Sequence, residues 1–123
     1  MQNDKPRFRD MLKTRVYSFA LDIITFVDQL PKGQVSSVIG EQLLRSATSI
    51  GANVVESQGA ASRKDYANFF RHALKSANET KFWLGLLRDS GKADKMTTDK
   101  LLKESNELAK ILATSIITLK GRG

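Results

Sequence analysis

The 123-residue chain contains no cysteine, one histidine, one tryptophan and two prolines. Without cysteine there are no disulfides and no thiol chemistry, which favours a reducing compartment. The single histidine, His72, leaves no Cys/His set for a metal site. The sequence has no run of about 18 apolar residues, and its charged N-terminus lacks the apolar stretch of a signal peptide. We therefore expect a cytoplasmic protein without a cofactor and without a membrane partner.

Positive charge is in excess and is unevenly distributed. The net charge is +7, of which +3 falls in residues 1–15, −2 in residues 16–61, +4 in residues 62–92 and +2 in residues 93–123. Polyanions such as nucleic acids are the natural partners of such a chain. The alternative interpretation is a basic charge that binds nothing specific.

Hydrophobic periodicity predicts four long helices and no strand. Apolar residues recur at spacings of three and four, and Pro31 ends the first such segment. Short connections between long helices favour antiparallel neighbours. We therefore predict one all-α domain over residues 1–123, an antiparallel up-down-up-down four-helix bundle with helices at about 10–30, 37–59, 63–89 and 98–120.

Hydroxyl side chains mark the expected starts of three helices. Ser36 or Ser37 can cap the second helix, and Thr97 the fourth. Ser62, followed three residues later by Asp65, resembles a capping box at the start of the third.

The stretch LLRSATSIGANVVES, residues 43–57, has apolar residues on two sides of a helix. One line faces the core of the chain, and the second requires another covering surface. Mid-helix Gly51 costs about 1 kcal/mol relative to alanine, which favours a close helix approach there, a local kink being the alternative. The third helix likewise has Phe82 and Leu86 on its outer face. We predict a homo-oligomer whose interface includes Leu44, Gly51, Val55, Phe82 and Leu86.

A third line of the second helix is polar and has two possible functions. It is either a ligand or nucleic-acid site, or an inter-helix network in which Arg71 or Lys81 lies opposite Glu56. We favour the network and assign to it Arg45, Ser49, Asn53, Glu56 and Glu79.

Catalytic patterns are missing from the sequence. Glu56 and Glu79 are conceivable as an acid/base pair, but no Glu-x-x-His, P-loop or Ser/His/Asp set accompanies them. Nucleic-acid binding through phosphate contacts is better supported, although no sequence-reading motif is present. The candidate contacts are Arg7, Arg9, Lys13, Arg15, Arg63, Lys64, Arg71 and Lys75.

The central segment QLLRSATSIGANVVESQGAASRKDYANFFRHALKSANETKFWLGLL resembles the signature of the 23S rRNA intervening-sequence protein family, also called the S23 or four-helix-bundle protein family. Gly51 stands where many members have proline, and Ser57 where many have glycine. The resemblance covers roughly residues 12–120. The matching positions are Gln42, Leu43, Arg45, Ser46, Ser49, Ile50, Ala52, Asn53, Glu56, Ser62, Asp65, Tyr66, Ala73, Leu74, Ser76 and Glu79.

This resemblance implies a four-helix bundle assembled into a homopentameric ring. The chain is also similar to the accessory variability determinant of diversity-generating retroelements, which implies nucleic-acid binding and a reverse-transcriptase partner. We therefore expect a non-enzymatic, RNA-binding pentamer that acts as an accessory factor, with a reverse transcriptase or ribosomal RNA as its partner. The alternative is a structural or protein-interaction module without intrinsic nucleic-acid binding.

Overall fold

Four α-helices make up most of residues 4–121, the part of the chain that the computed structural model describes. No strand occurs within these residues, which confirms the all-α fold class. The predicted span of 1–123 extends beyond the described residues at both ends. The helices are α1 (Asp4–Asp28), α2 (Gln34–Ser57), α3 (Arg63–Asp89) and α4 (Lys95–Gly121).

Consecutive helices run antiparallel. From Arg45 to Ser49 the residue number rises along α2, while the number of the bonded partner in α3 falls from Glu79 to Ser76. The contacts between α1 and α2 and between α3 and α4 show the same reversal. Among the described residues the backbone of α1 lies close to those of α2 and α4 but not to that of α3, so α1 and α3 occupy opposite corners of the bundle.

Each helix contributes one apolar face to a shared core. The three- and four-residue spacings that predict the helices also identify these faces, because such residues lie on one side of a helix. Burying one of these large apolar side chains contributes about 1.5–3 kcal/mol relative to leaving it in water. The largest completely buried apolar side chains are Phe19, Phe70, Leu12, Ile23, Leu43, Ile50, Leu84, Leu87, Leu108, Leu112 and Val16.

Three helices begin earlier than predicted: α1 at residue 4, α2 at residue 34 and α4 at residue 95, against expected starts at about 10, 37 and 98. Helix α1 starts at Asp4 because Pro6 falls in its first turn, where the missing N–H has no helical acceptor. Helix α2 starts at Gln34, after Gly33 with φ 149°, and no side chain caps it. Ser36 lies buried inside α2, so the predicted serine cap is wrong.

A carboxylate, and not Thr97, precedes and caps α4. Oδ2 of Asp94 accepts from the backbone N–H of Thr97 at 2.8 Å. This hydrogen bond is the largest cause of the lowered pKa of Asp94. The predicted Thr97 cap is therefore wrong, since Thr97 lies inside the helix.

The ends of α3 are set by local sequence. Ser62 Oγ accepts from the backbone N–H of Asp65 at 3.1 Å, as the capping-box pattern predicts. At the other end Gly91 has φ 77°, and the N–H of Lys92 reaches the carbonyl of Leu87 at 2.9 Å. A left-handed glycine with this hydrogen bond is a Schellman ending, which directs the chain back towards α4.

Helices α3 and α4 are also joined by an ion-pair cluster beside this turn. Arg88 Nη1 donates to Oδ1 of Asp99 at 2.8 Å, and Lys95 Nζ donates to Oδ2 of Asp99 at 2.7 Å. The hydrogen bond from Lys95, followed by that from Arg88, lowers the pKa of Asp99. Within residues 4–121, none of the helices is both long and apolar enough to span a membrane.

Candidate nucleic-acid interface

Three basic side chains follow one another along the outer face of α3. Lys64, Arg71 and Lys75 are seven and four residues apart, and all three are exposed. Side chains at these spacings lie on one side of a helix, and we call this set the basic line. Arg71 donates to Oδ1 of Asn68 at 2.7 Å. Lys64 and Lys75 have no hydrogen bond or ion pair within residues 4–121.

The predicted phosphate contacts on α1 are not brought together with the basic line, whereas Arg63 adjoins Lys64 on α3. Arg7, Arg9 and Lys13 are exposed on α1, and Arg63 is exposed at the first residue of α3. Because α1 and α3 occupy opposite corners of the bundle, the α1 residues and the basic line form separate positive surfaces on one chain.

Arg15 differs from its neighbours on α1 and corrects a sequence prediction. Its Nε donates to Oε2 of Glu104 at 3.0 Å, and its Nη2 donates to Oε1 of Glu107 at 3.1 Å. The hydrogen bond with Glu104 is the largest cause of the raised pKa of Arg15. Two carboxylates of α4 therefore compensate the charge that was expected to contact phosphate.

A polar cleft of about 440 Å³ lies between α2 and α3. At its floor the Oγ atoms of Ser49 and Ser76 are hydrogen-bonded at 3.0 Å. Asn53 Nδ2 donates to the Oγ of Ser49 at 3.1 Å and to its backbone carbonyl at 2.9 Å. The cleft is lined by Arg45, Ser49, Asn53, His72, Lys75, Ser76 and Glu79.

An ion pair crosses this cleft. Arg45 Nη2 is paired with Oε2 of Glu79, and Gln42 Oε1 accepts from the same guanidinium at 3.0 and 3.2 Å. Trp83 Nε1 donates to the same Glu79 oxygen at 3.1 Å. The Arg45 side chain is 55% exposed, so the ion pair lies at the surface.

Glu56 does not join this set, which corrects the predicted network. It is exposed and lines a different groove, on the α1 side of α2, together with Lys13. Neither predicted partner reaches it, since Arg71 bonds Asn68 and Lys81 bonds Asn106. Glu56 and Glu79 therefore do not form an acid/base pair.

His72 shares the cleft with serines and a glutamate but makes no hydrogen bond with them in the described part of the chain. A nucleophilic serine needs a base within hydrogen-bonding distance, and no such contact is present between His72 and Ser49 or Ser76. Within residues 4–121, no group of three His, Asp or Glu side chains is placed to hold a metal ion. The hydrogen bonds of Ser49, Asn53 and Ser76 in the cleft are made among the chain's own groups.

Three residues at the contact between α2 and α3 are not identified by their sequence pattern alone. Gln42, Trp83 and Thr80 all contact the α2–α3 junction, and Thr80 Oγ1 lies 2.9 Å from the Oγ of Ser46. A sequence signal exists for Thr80, because Ser76 and Thr80 are four residues apart and place two hydroxyls on one side of α3.

The exposed residues of the predicted oligomer interface lie on two different surfaces, one on α3 and one between α1 and α2. Phe82 is 58% exposed and Leu86 38%, so the outer face of α3 turns apolar after the basic line. Val55 is 54% exposed and lines an apolar groove of about 640 Å³ between α1 and α2. Leu44 is only half-buried and packs against the core.

Gly51 faces α1 of the same chain, which corrects its predicted place on an outer face. A Cβ built on Gly51 would lie 3.6 Å from Cγ2 of Val16 and 3.7 Å from its backbone oxygen. The glycine therefore permits close packing of α1 on α2, the type of close approach predicted, but with an intramolecular partner.

Comparison with known proteins finds a matching family model and a matching solved structure. The family model described as 23S rRNA-intervening sequence protein matches residues 12–114. Among solved structures, a protein of unknown function from the S23 ribosomal protein family of Bacteroides thetaiotaomicron is 36% identical in sequence, with a TM-score of 0.82. That match covers 88% of this chain and 96% of the other. None of the curated proteins matches.

Proposed function

The chain belongs to the 23S rRNA-intervening sequence protein family, and from this premise we propose that it is a non-catalytic RNA-binding protein that acts as an oligomeric accessory factor. The description of the family connects its members with 23S rRNA. The basic surfaces suit a polyanion, and the family description is our reason for proposing RNA among the polyanions.

The basic line supports this proposal most directly. Lys64 and Lys75 are exposed and without a partner within residues 4–121, and Arg71 lies between them. Exposed cations at helical spacing can contact successive phosphates, which provides affinity without sequence selectivity. The net charge of +7 adds long-range attraction to the same partner.

A homopentameric ring is the assembly that we propose for this activity. The exposure of Phe82 and Leu86 supports burial of this face in a neighbouring copy. Repetition of the basic line around a ring axis would combine individually weak phosphate contacts through multivalency. A reverse transcriptase or a ribosomal RNA is the larger partner that the family resemblance implies.

Titration of labelled single-stranded RNA at several salt concentrations tests the binding proposal. We expect the logarithm of the association constant to fall by about 0.7 per contacted phosphate for each tenfold rise in salt. The variant with Lys64, Arg71 and Lys75 changed to Glu should bind weakly and show a smaller salt slope.

A matched control makes the same charge change on α4, at exposed Lys100, Lys103 and Lys110. It should retain more affinity than the α3 variant, because its net charge is the same but the basic line is intact. Equal losses would show that only net charge matters, and no association at low salt would remove the RNA proposal. The protein-interaction alternative, favoured by exposed Phe82, would then remain.

Sedimentation tests the assembly proposal. Phe82→Asp should shift the protein to smaller species, whereas Ile117→Asp, at another exposed apolar position on α4, should not. A wild-type protein that sediments as a single chain at high concentration would refute the ring.

A further inference from the structure

The basic line ends where the polar cleft begins. Lys75 is both the last residue of that line and part of the cleft wall. Continuing along the same side of α3, Asn78 is exposed and uncharged, and beyond it come Phe82 and Leu86, the apolar face that we propose a neighbouring copy covers. A strand that follows the basic line therefore reaches the cleft and then meets a surface that has no cation for its phosphates.

The cleft contains donors that suit a phosphate group. The Lys75 ammonium has no partner within the described residues, and the Arg45 guanidinium is 55% exposed. The hydroxyls of Ser49 and Ser76 lie 3.0 Å apart at the floor and can turn to donate to a ligand oxygen. Hydrogen bonds from Arg and Lys to phosphate oxygens are charge-assisted and are among the stronger ones that proteins make.

We propose that this cleft receives the terminal phosphate of an RNA strand whose backbone lies along the basic line. The inference rests on the proposed RNA-binding function and specifies which part of the RNA occupies the cleft. A terminal phosphate monoester carries close to two negative charges at neutral pH, whereas an internal phosphodiester carries one. Lys75 has no partner within the described residues, and Arg45 supplies a second positive charge once the phosphate displaces Glu79 from it. Apolar Phe82 beyond them favours a strand that ends in the cleft.

Glu79 makes the cleft respond to its occupant. Its Oε2 is paired with Arg45 and also accepts from Trp83 Nε1 at 3.1 Å. A phosphate that takes the hydrogen bonds of Arg45 competes with this carboxylate and changes the charge next to the indole. Because Trp83 is the one tryptophan of the protein, its emission reports occupancy of the cleft.

The test uses a short, internally labelled RNA in three forms of identical sequence: with a 5′-phosphate, with a 3′-phosphate, and with hydroxyls at both ends. Fluorescence anisotropy measures affinity, and Trp83 emission measures occupancy of the cleft. We expect one phosphorylated form to bind about tenfold or more tightly than the hydroxyl form. Inorganic phosphate should produce the same change in emission at much higher concentration.

Two variants of the basic line separate the cleft from the general phosphate path. Lys75→Ala should remove the preference for the phosphorylated end, whereas Lys64→Ala should weaken all three RNAs by the same factor. Glu79→Gln should strengthen binding of the phosphorylated form, because the competing negative charge is lost.

Equal affinity for the three RNAs would overturn this inference and leave the RNA-binding function in place. A preference that survives Lys75→Ala would also overturn it, because the terminal phosphate would then be bound elsewhere. A complete absence of RNA binding at low salt would instead refute the proposed function, and the inference with it.

Discussion

The hydroxyl oxygens of Ser46 and Thr80 lie 2.9 Å apart inside the contact between α2 and α3, and both side chains are completely buried. Thr80 also lies 2.8 Å from the carbonyl oxygen of Ser76, to which it donates its hydrogen. The oxygen of Thr80 can then accept from Ser46, whose Oγ also has the carbonyl oxygen of Leu43 as a second acceptor at 3.2 Å. This buried pair joins the two helices directly next to Arg45 and Glu79, which form the ion pair at the surface.

The Ser46–Thr80 pair predicts a non-additive effect on stability. Ser46→Ala and Thr80→Val should each lower the free energy of unfolding by about 1 kcal/mol, because each leaves a buried polar group with one partner fewer. The double variant should cost less than the sum, since either single change already removes the hydrogen bond that the two hydroxyls share. Urea denaturation of the four proteins measures this, and strictly additive losses would show that the two hydroxyls are not coupled.

At Gly51 we expect a small and a large side chain to have opposite effects on the free energy of unfolding. Gly51→Ala should raise the free energy of unfolding by up to about 1 kcal/mol, because its Cβ makes ordinary contact with Val16 and alanine favours a helix. Gly51→Leu should lower it, because the longer side chain has to displace α1. Gly85, with open space around its Cβ position, is the control and should accept both residues. An equally tolerated leucine at Gly51 would contradict the close α1–α2 contact.

We expect Arg15 to contribute to stability and Lys13 to contribute to RNA binding. Arg15→Gln should lower the free energy of unfolding by about 1 kcal/mol, as expected for a partly exposed ion pair, and leave RNA affinity nearly unchanged. Lys13→Gln should lower RNA affinity and leave the free energy of unfolding nearly unchanged, since Lys13 is exposed. Denaturation and RNA titration of both variants check this, and equal losses of RNA affinity would return Arg15 to the phosphate contacts.

We expect the stabilising contribution of the Asp94 cap to be lost in acid. Its pKa is lowered in the folded protein by the hydrogen bond from Thr97, so its contribution is present above the unfolded pKa of about 3.9 and is lost as the pH falls through the lower folded value. Asp94→Asn retains an acceptor for Thr97 but does not titrate there. Its stability deficit relative to wild type should therefore shrink between pH 7 and pH 3.

Asp22→Asn is the control for this titration, because Asp22 is exposed and has no hydrogen bond within residues 4–121. Its difference from wild type should vary less with pH than that of Asp94→Asn. The same pH dependence in both variants would rule out the α4 cap as the cause. Urea denaturation at the two pH values provides the comparison.

The helices and their inner faces are predictable because they depend on local spacing. Leu43, Ala47, Ile50 and Val54 recur every three or four residues, and that repeat alone places them on one buried side of α2. The Ser62 cap is equally local, since its acceptor and donor are three residues apart. Where two local signals compete, as Asp94 and Thr97 do before α4, spacing does not select between them.

The polar contacts between helices are harder to predict from the sequence than the helices themselves. Four of the five predicted network residues meet in the cleft, but the fifth, Glu56, faces the α1 side. Its position on α2 is compatible with either neighbour, because a residue on the shoulder of a helix can face whichever helix is packed there. The register of α3 against α2 decides that Arg45 meets Glu79.

The amino-acid order by itself determined four helices, their inner faces and a basic line on α3, since these follow from residue type and a period of 3.6. Only the tertiary structure decided that Gly51 packs on Val16, that Arg15 is paired with α4, and that Lys75 adjoins a hydroxyl-lined cleft. Those features depend on which helices are neighbours and on their relative register, and both are settled by packing of the whole core.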